Sequence, residues 1–451
     1  MLAVGCGVLF ASRSSSANGR FPAANRIVLS PSDPELVIVR ATYGVLRSQD
    51  EGATWSFLCE AALGLPLMAT EDPALGLTGA GALVAGLLIP AGLDVSNDEG
   101  CTWNCVGGAL AGLAIADIAV RAEAPSTVVA LAMPTTDDAG EPAGPAVFQS
   151  TDNGAHWAQL GQALDPNLLV STIDVAANDP HRLYVSATRG FGPGRTASLL
   201  VSMDDGMTWT EERVPLDTTW EAFIYIGGVD PVDADRVYIR TGAPEGQAGP
   251  TRLLVSVDAG QSFQVGLMLT GQMLGFALSP DGANIYAGGN IDGLFVGRRD
   301  TGTFARTPSV VRGGDGGPID VHVECLATLG SELWACADEP SGFIAGVSTD
   351  EGATFEPRLQ LGNVGAAISC ASGAPAPLAC GAEGGASQCS GLPFEQLCMS
   401  LGCDAGAPQP SASAPAASQA SGGCSSVASP GAGLLAGAGA ALALTRRRRR
   451  R

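Results

Sequence analysis

Seven stretches of this chain place a hydroxyl, a carboxylate and a glycine together at fixed spacing. Six are clean: Ser48–Trp55 (SQDEGATW), Ser96–Trp103 (SNDEGCTW), Ser150–Trp157 (STDNGAHW), Ser202–Trp209 (SMDDGMTW), Ser256–Phe263 (SVDAGQSF) and Ser348–Phe355 (STDEGATF). A worn copy, RRDTGTF, runs from Arg298 to Phe304. Glycine loops dense in Asp and Glu could ligate a cation or supply a general acid. A second set of chemistry-bearing residues lies outside these loops: Arg40, Tyr43, Arg189, Arg240, Asp292, Asp338 and Glu339. Arginines gathered at one place would hold an anion or carboxylate through charge-assisted hydrogen bonds. No Cys-x-x-Cys pair, phosphate-binding loop or nucleophile–base pair is visible, and His156, His181 and His322 are scattered. Neither a metal ion nor a cofactor is expected.

The elements that position these residues follow from the spacing. The seven stretches begin at positions 48, 96, 150, 202, 256, 298 and 348, a step of about 50 residues. That step fits one four-stranded blade of a propeller, and seven blades close a ring. Within each step, short apolar β-branched runs alternate with Asp, Pro and Gly turns, as strands require. In the first blade Ile27–Leu29, Leu36–Val39, Gly44–Arg47 and Trp55–Cys59 read as strands, and the repeat sits in the hairpin between the third and fourth. Blades are expected near 24–64, 65–112, 113–165, 166–219, 220–269, 270–314 and 315–364. All begin and end in the same phase, so no strand swap joins the ends. The fold class is all-β: a single seven-bladed propeller of four-stranded antiparallel blades over 24–364.

In this frame the acidic loops change meaning. Ser and Asp side chains satisfy loop amides, Gly supplies a positive φ, and Trp or Phe starts the fourth strand. Asp50, Asp98, Asp152, Asp204, Asp258 and Asp350 are therefore expected to be structural. Ligands are expected on the opposite face, which the loops between second and third strands reach. Those loops hold Arg40 and Tyr43, Thr135–Gly144, Arg189 to Phe191, Arg240–Gly249, Asp292, and Asp338 with Glu339.

The pattern Ser-x-Asp-x-Gly-x-Thr-Trp resembles the Asp-box, or BNR repeat, of sialidase-like β-propellers. Sialidase activity would need an Arg trio, a Tyr/Glu pair and an acid Asp, and the family carries an Arg-Ile-Pro motif in its first blade. The corresponding stretch here, NGRFPAANRIVLSP, lacks it. Tyr184, Tyr238 and Tyr286, three of the five tyrosines, fall inside second strands as packing residues. The related xyloglucanases use two facing rings, and this chain has residues for one. The resemblance implies a binding or scaffolding module more than an enzyme. A glycan-active hydrolase and a purely structural surface protein are the alternatives.

Composition bounds the partners. The chain has 451 residues and a formal charge of −21, with no lysine among its 24 basic residues. Six arginines form the extreme C-terminus, Arg446–Arg451, so the remainder is more acidic still. Such a surface excludes nucleic acid and leaves a glycan or a surface protein as the expected partner class. Residues 1–17 resemble a secretory signal peptide, although no basic residue precedes the apolar run. The twelve cysteines suit disulfides in an oxidising compartment. Cys59, Cys101 and Cys105 are expected near outer blade edges, and Cys325 and Cys336 on neighbouring strands. A Cys-rich cap is expected over 365–404 and a Pro/Ala/Ser linker over 405–423. In 424–451, Cys424 with its Gly and Ser neighbours precedes the apolar run Gly431–Leu444 and the Arg cluster. Fourteen apolar residues are too few for a stable span. This tail resembles the MYXO-CTERM sorting signal of myxobacteria. The resemblance implies processing at Cys424, transient membrane contact, and a product secreted or anchored at the cell surface.

Overall fold

The computed structural model describes residues 23–65, 72–134, 144–244, 247, 249–313, 317–371 and 373–376. The leader, most of the Thr135–Gly144 loop, the cap beyond 376, the linker and the tail with Cys424 lie outside them.

Seven antiparallel sheets stand around a central axis. Blade 1 is Ala24–Leu29, Leu36–Ala41, Gly44–Gln49 and Trp55–Cys59, in that order from the axis outward. The other innermost strands are Ala74–Leu77, Ala114–Val120, Leu169–Val175, Phe223–Asp230, Met273–Leu278 and Cys325–Leu329. The other fourth strands are Asn104–Cys105, Ala158–Leu160, Thr210–Val214, Gln264–Leu269, Phe304–Arg306 and Thr354–Leu359. Burial grades across a blade. The second strand Leu183–Arg189 is buried on both faces until its last residue, whereas the outer strand Thr210–Val214 is mostly exposed. Tyr184, Tyr238 and Tyr286 are buried in second strands, as expected from sequence. In five blades the pairing of first and second strands slips by one residue, as between Val170 and Thr172. Such bulges strengthen twist and bend the inner strand.

Each of the six clean repeat turns rests on the preceding blade. A Cβ added to Gly100 would lie 3.0 Å from Leu58, to Gly206 3.4 Å from Leu160, and to Gly352 2.2 Å from Leu294. Glycine is required twice over, since Gly352 also has φ +85°. The same joint closes the ring: Gly52 approaches Trp334 and Arg358 of blade 7, and Trp55 Nε1 donates to the Arg358 carbonyl at 2.8 Å. Blades 1 and 7 share one apolar core through Phe57, Trp334 and Leu359. Fully burying a side chain of the Leu or Phe class contributes about 1.5–3 kcal/mol.

The four antiparallel strands of each blade come from consecutive chain, but a C-terminal strand joins the N-terminal blade as its fifth, which corrects the expectation that no strand links the ends. Three strands stand beyond the four of each blade: Ser309–Val311, Pro318–Ile319 and Val364–Ala367. Ser309–Val311 pairs in parallel with the outer strand of blade 7, although the spacing placed it in blade 6. Val364–Ala367 pairs in parallel with Trp55–Cys59, so the sheet runs past the expected end of the last blade at 364. Ile368 N then donates to Phe57 O at 2.8 Å, and Cys370 is disulfide-bonded to Cys101. Cys325 and Cys336, directly opposed on neighbouring strands, are also bonded, with Cα atoms 4.7 Å apart. Cys59 and Cys105 are each engaged in a disulfide as well.

Candidate functional site

The repeat turns carry their own hydrogen bonds. In each clean copy the Ser hydroxyl donates to Asp Oδ1 at 2.7–2.9 Å. The same hydroxyl accepts from the Gly amide at 2.8–2.9 Å. Asp Oδ1 also accepts from the amide four residues on, at 2.7–2.9 Å. Each box tryptophan donates Nε1 to the Gly carbonyl. Hydrogen bonds lower the pKa of Asp50, Asp152, Asp204, Asp258 and Asp350 and so favour their ionised form. The His156 ring and amide hold Asp152 down to about 2, and the Thr208 hydroxyl and amide hold Asp204 below its ordinary range. A carboxylate committed to its own turn has no spare proton chemistry.

One feature of the turn escapes the consensus. The residue before each Gly is also left-handed: Glu51, Glu99, Asn153, Asp205, Ala259 and Glu351 have φ of +55° to +61°. Three of them reach a neighbouring blade. Glu99 pairs with Arg47, Asp205 with Arg121 and Glu351 with Arg298. Arg298 occupies the Ser position of the worn copy.

On the opposite face most candidates are engaged locally. Arg189 is clamped by Asp165 and Glu211, each at 2.8 Å, and these pairs raise its pKa above the ordinary range. Asp292 accepts from the Thr270 amide and hydroxyl and from Gly271 N. Asp338 accepts the Ser341 hydroxyl at 2.6 Å and lies 2.6 Å from His322 Nδ1. This Asp stands between Ser and His, whereas a nucleophilic relay needs His between Ser and Asp. Glu339 opens a single short turn after it. Tyr43 is packed against Phe57, its buried hydroxyl without a partner. Burial, and then the charge of Glu339, push that hydroxyl's pKa upward.

Arg40 and Arg240 do converge; Arg189 does not join them. Both line the central channel, a cavity of about 580 Å³ walled by the innermost strands of all seven blades. Arg26, Asp117 and Asp174 share it, and sequence reading passed over all three. The available signal was a charged residue inside an apolar first strand, as in AIADIAV and LVSTIDV. Arg26 reaches across the inner strand of blade 2 to lie 3.6 Å from Asp117. Gly76 on that strand leaves the passage open; a Cβ there would come 2.9 Å from Ile118. Asp117 Oδ2 accepts from Ile173 N and Asp174 Oδ2 from Val229 N, so each carboxylate ties its blade to the next. Deep placement in the ring pushes Asp117 upward and Asp174 to about 6.

The three arginines are satisfied unequally. Arg40 Nε donates to Asn25 Oδ1 at 2.7 Å and its Nη1 to Pro73 O at 2.6 Å. Arg240 Nη1 donates to the carbonyls of Met273 and Leu274, and its ring neighbour is Tyr225. Its Nε is buried without a partner, and among the described residues no carboxylate lies within ion-pair distance of it. Burial, and more weakly the charge of Arg26, lower the Arg240 pKa, against the opposing pull of Tyr225 and Asp117.

No family model matches this chain, and no curated protein matches it. Among solved structures it is similar to the Niastella koreensis GH74 enzyme at 13% identity and TM-score 0.37, covering 73% of this chain and 62% of that one. The chain thus spans less than two thirds of that enzyme's length. It is similar to YCF48 from Cyanidioschyzon merolae at 13% identity and TM-score 0.47, covering 70% and 92%. The Cps50 (Swd1) propeller domain of Myceliophteria thermophila gives 11% identity and TM-score 0.46, covering 73% and 98%. The likeness is one of fold.

Proposed function

We propose that this chain is a binding or scaffolding propeller of the cell surface or the extracellular medium, and that its central channel receives the anionic end of its ligand. Arg240 carries the reading. A guanidinium sunk in the ring with no carboxylate in direct contact is costly unless an anion completes it. Arg26 and Arg40 add two charges to the same channel. Both channel carboxylates accept backbone amides of the next blade, and Asp117 also faces Arg26, which is why we read them as braces and not as a hydrolytic pair. The leader-like start and the Cys-apolar-Arg tail support the extracellular placement.

The test is a glycan array carrying uronate, sialylated and neutral glycans, followed by a reducing-sugar assay. Acidic glycans should be retained without turnover. Arg240→Met should weaken retention about 10- to 100-fold, the worth of one charge-assisted hydrogen bond. Retention unchanged by that substitution would exclude the channel. Turnover abolished by Asp174→Asn would replace the binding module with a hydrolase.

A further inference from the structure

The central channel gathers three arginines and two carboxylates, and they are not evenly matched. Asp117 lies 3.6 Å from Arg26. Asp174, one blade further on, has no cation within ion-pair distance among the described residues. Its two oxygens each accept one backbone amide, Oδ1 from Val175 N at 2.8 Å and Oδ2 from Val229 N at 3.1 Å. One hydrogen bond per oxygen leaves a lone pair for a proton. Arg240, on the wall of the same cavity, donates to two carbonyls and contacts no carboxylate. The channel thus carries a carboxylate without a cation and a cation without a carboxylate.

The surroundings of Asp174 supply little to hold its charge. Burial raises its pKa most, the amides of Val175 and Val229 oppose this, and then Asp117 raises it while Arg26 lowers it, leaving it at about 6. The other charged groups nearby are already engaged. On the second strand of its own blade Tyr184 stands opposite in register, with its hydroxyl donated to Ala234 O. At the two ends of that strand, Arg182 is held by Asp235, and Arg189 by Asp165 and Glu211. Just past the inner strand of blade 3, Arg121 is held by Asp205. On the inner strand of blade 5, Asp230 is held by Arg299, and Tyr225 lies against Arg240.

We infer, resting on the anion-site reading of this channel, that it takes up its anion together with one solvent proton on Asp174, loading at mildly acidic pH and releasing above neutrality. With both carboxylates ionised, three arginines leave the channel a net charge of +1, and the proton makes it +2. The two guests favour each other. An anion beside Asp174 makes its ionised form costlier, and a neutral Asp174 removes the repulsion the anion meets; the coupling is the same in both directions. Across a cavity of about 580 Å³, at an effective dielectric constant of about 20, one unit charge changes an ion's affinity on the order of 10-fold. Arg26 favours the charged form of Asp117, so the proton goes to Asp174.

Isothermal titration calorimetry of the full chain with trigalacturonate at about pH 5 and about pH 8 tests this. The carboxyl groups of the probe are ionised at both, since ordinary carboxyl pKa values lie near 4. Affinity should be about 10-fold higher at the lower pH. Between the two, the heat of binding should differ between buffers of high and low protonation enthalpy, which reports proton uptake by the unaltered protein. Asp174→Asn should bind at the higher pH about as tightly as the wild type does at the lower, with its pH dependence gone. His322→Gln, outside the cavity, should keep the dependence. Equal affinity at both pH values, absence of proton uptake, or a pH dependence that survives Asp174→Asn overturns the inference and leaves the anion site standing. Absence of binding at either pH, or binding indifferent to Arg240→Met, overturns both.

Discussion

Ser256→Ala isolates what a repeat turn contributes. Ser256 Oγ donates to Asp258 Oδ1 at 2.8 Å and accepts from Gly260 N at 2.8 Å. Its contact with Asp258 N is longer, 3.3 Å. Alanine removes the hydroxyl and nothing else, because the site is buried and tight. The lost donor matters little, since Asp258 still accepts from Ser262 N at 2.9 Å and from the Ser262 hydroxyl at 2.5 Å. The lost acceptor matters more. Gly260 N–H is left inside a joint packed against Leu199 and Glu212, where water cannot replace Oγ. An unsatisfied buried donor costs about 1–3 kcal/mol. The expected outcome is a urea unfolding midpoint that falls with its slope unchanged, by an amount equivalent to about 1–3 kcal/mol. Ser48→Ala should cost more than Ser256→Ala, because its turn also seals blade 1 to blade 7. EDTA should alter neither protein, and acidic-glycan retention should stay at the wild-type level in both. A loss below about 0.5 kcal/mol, an EDTA-sensitive midpoint, or lost retention would show that the turns are not self-contained staples.

Other substitutions read other joints. Asp174 is held near 6 when folded, above its unfolded value. The folded state therefore binds the extra proton between about pH 4 and 6, and stability should fall as pH rises through that window. Asp174→Asn should flatten that slope in urea titrations, and a slope that persists would assign it elsewhere. Cys101→Ser opens a covalent loop with a sequence separation of 269 residues. It should cost about 3–5 kcal/mol and speed amide exchange over 364–376 and Trp55–Cys59, with the other blades little changed. Gly44→Ala is expected to be among the worst single changes, since its Cβ would lie 2.5 Å from the Leu58 carbonyl at φ +141°. Expression trials and thermal melts check this last one.

How far the sequence could be read depended on whether a residue's role repeats. The ring, the blade count and the structural use of Asp50, Asp98, Asp152, Asp204, Asp258 and Asp350 follow from a local pattern present in every blade. The left-handed residue before each glycine was hidden because its identity varies among Glu, Asn, Asp and Ala while its conformation does not. The cross-chain pairings were hidden for a different reason. Val364–Ala367 on Trp55–Cys59 and Cys370 on Cys101 join positions about 300 residues apart, and no local rule encodes such register. Arg189 had the right residue type on an expected ligand loop, yet two nearby carboxylates neutralise it. Arg26, Asp117 and Asp174 had the reverse profile, charged residues in strands that apolar patterning marked as core. The channel follows from that contrast. Inner strands face a space that seven twisted blades cannot fill, so a charge placed there meets neither core nor bulk solvent. In a repeat protein the positions that agree between blades describe the fold. The ones that differ between blades, such as Arg40 and Arg240 at one equivalent position of blades 1 and 5, are where a role other than folding is to be sought.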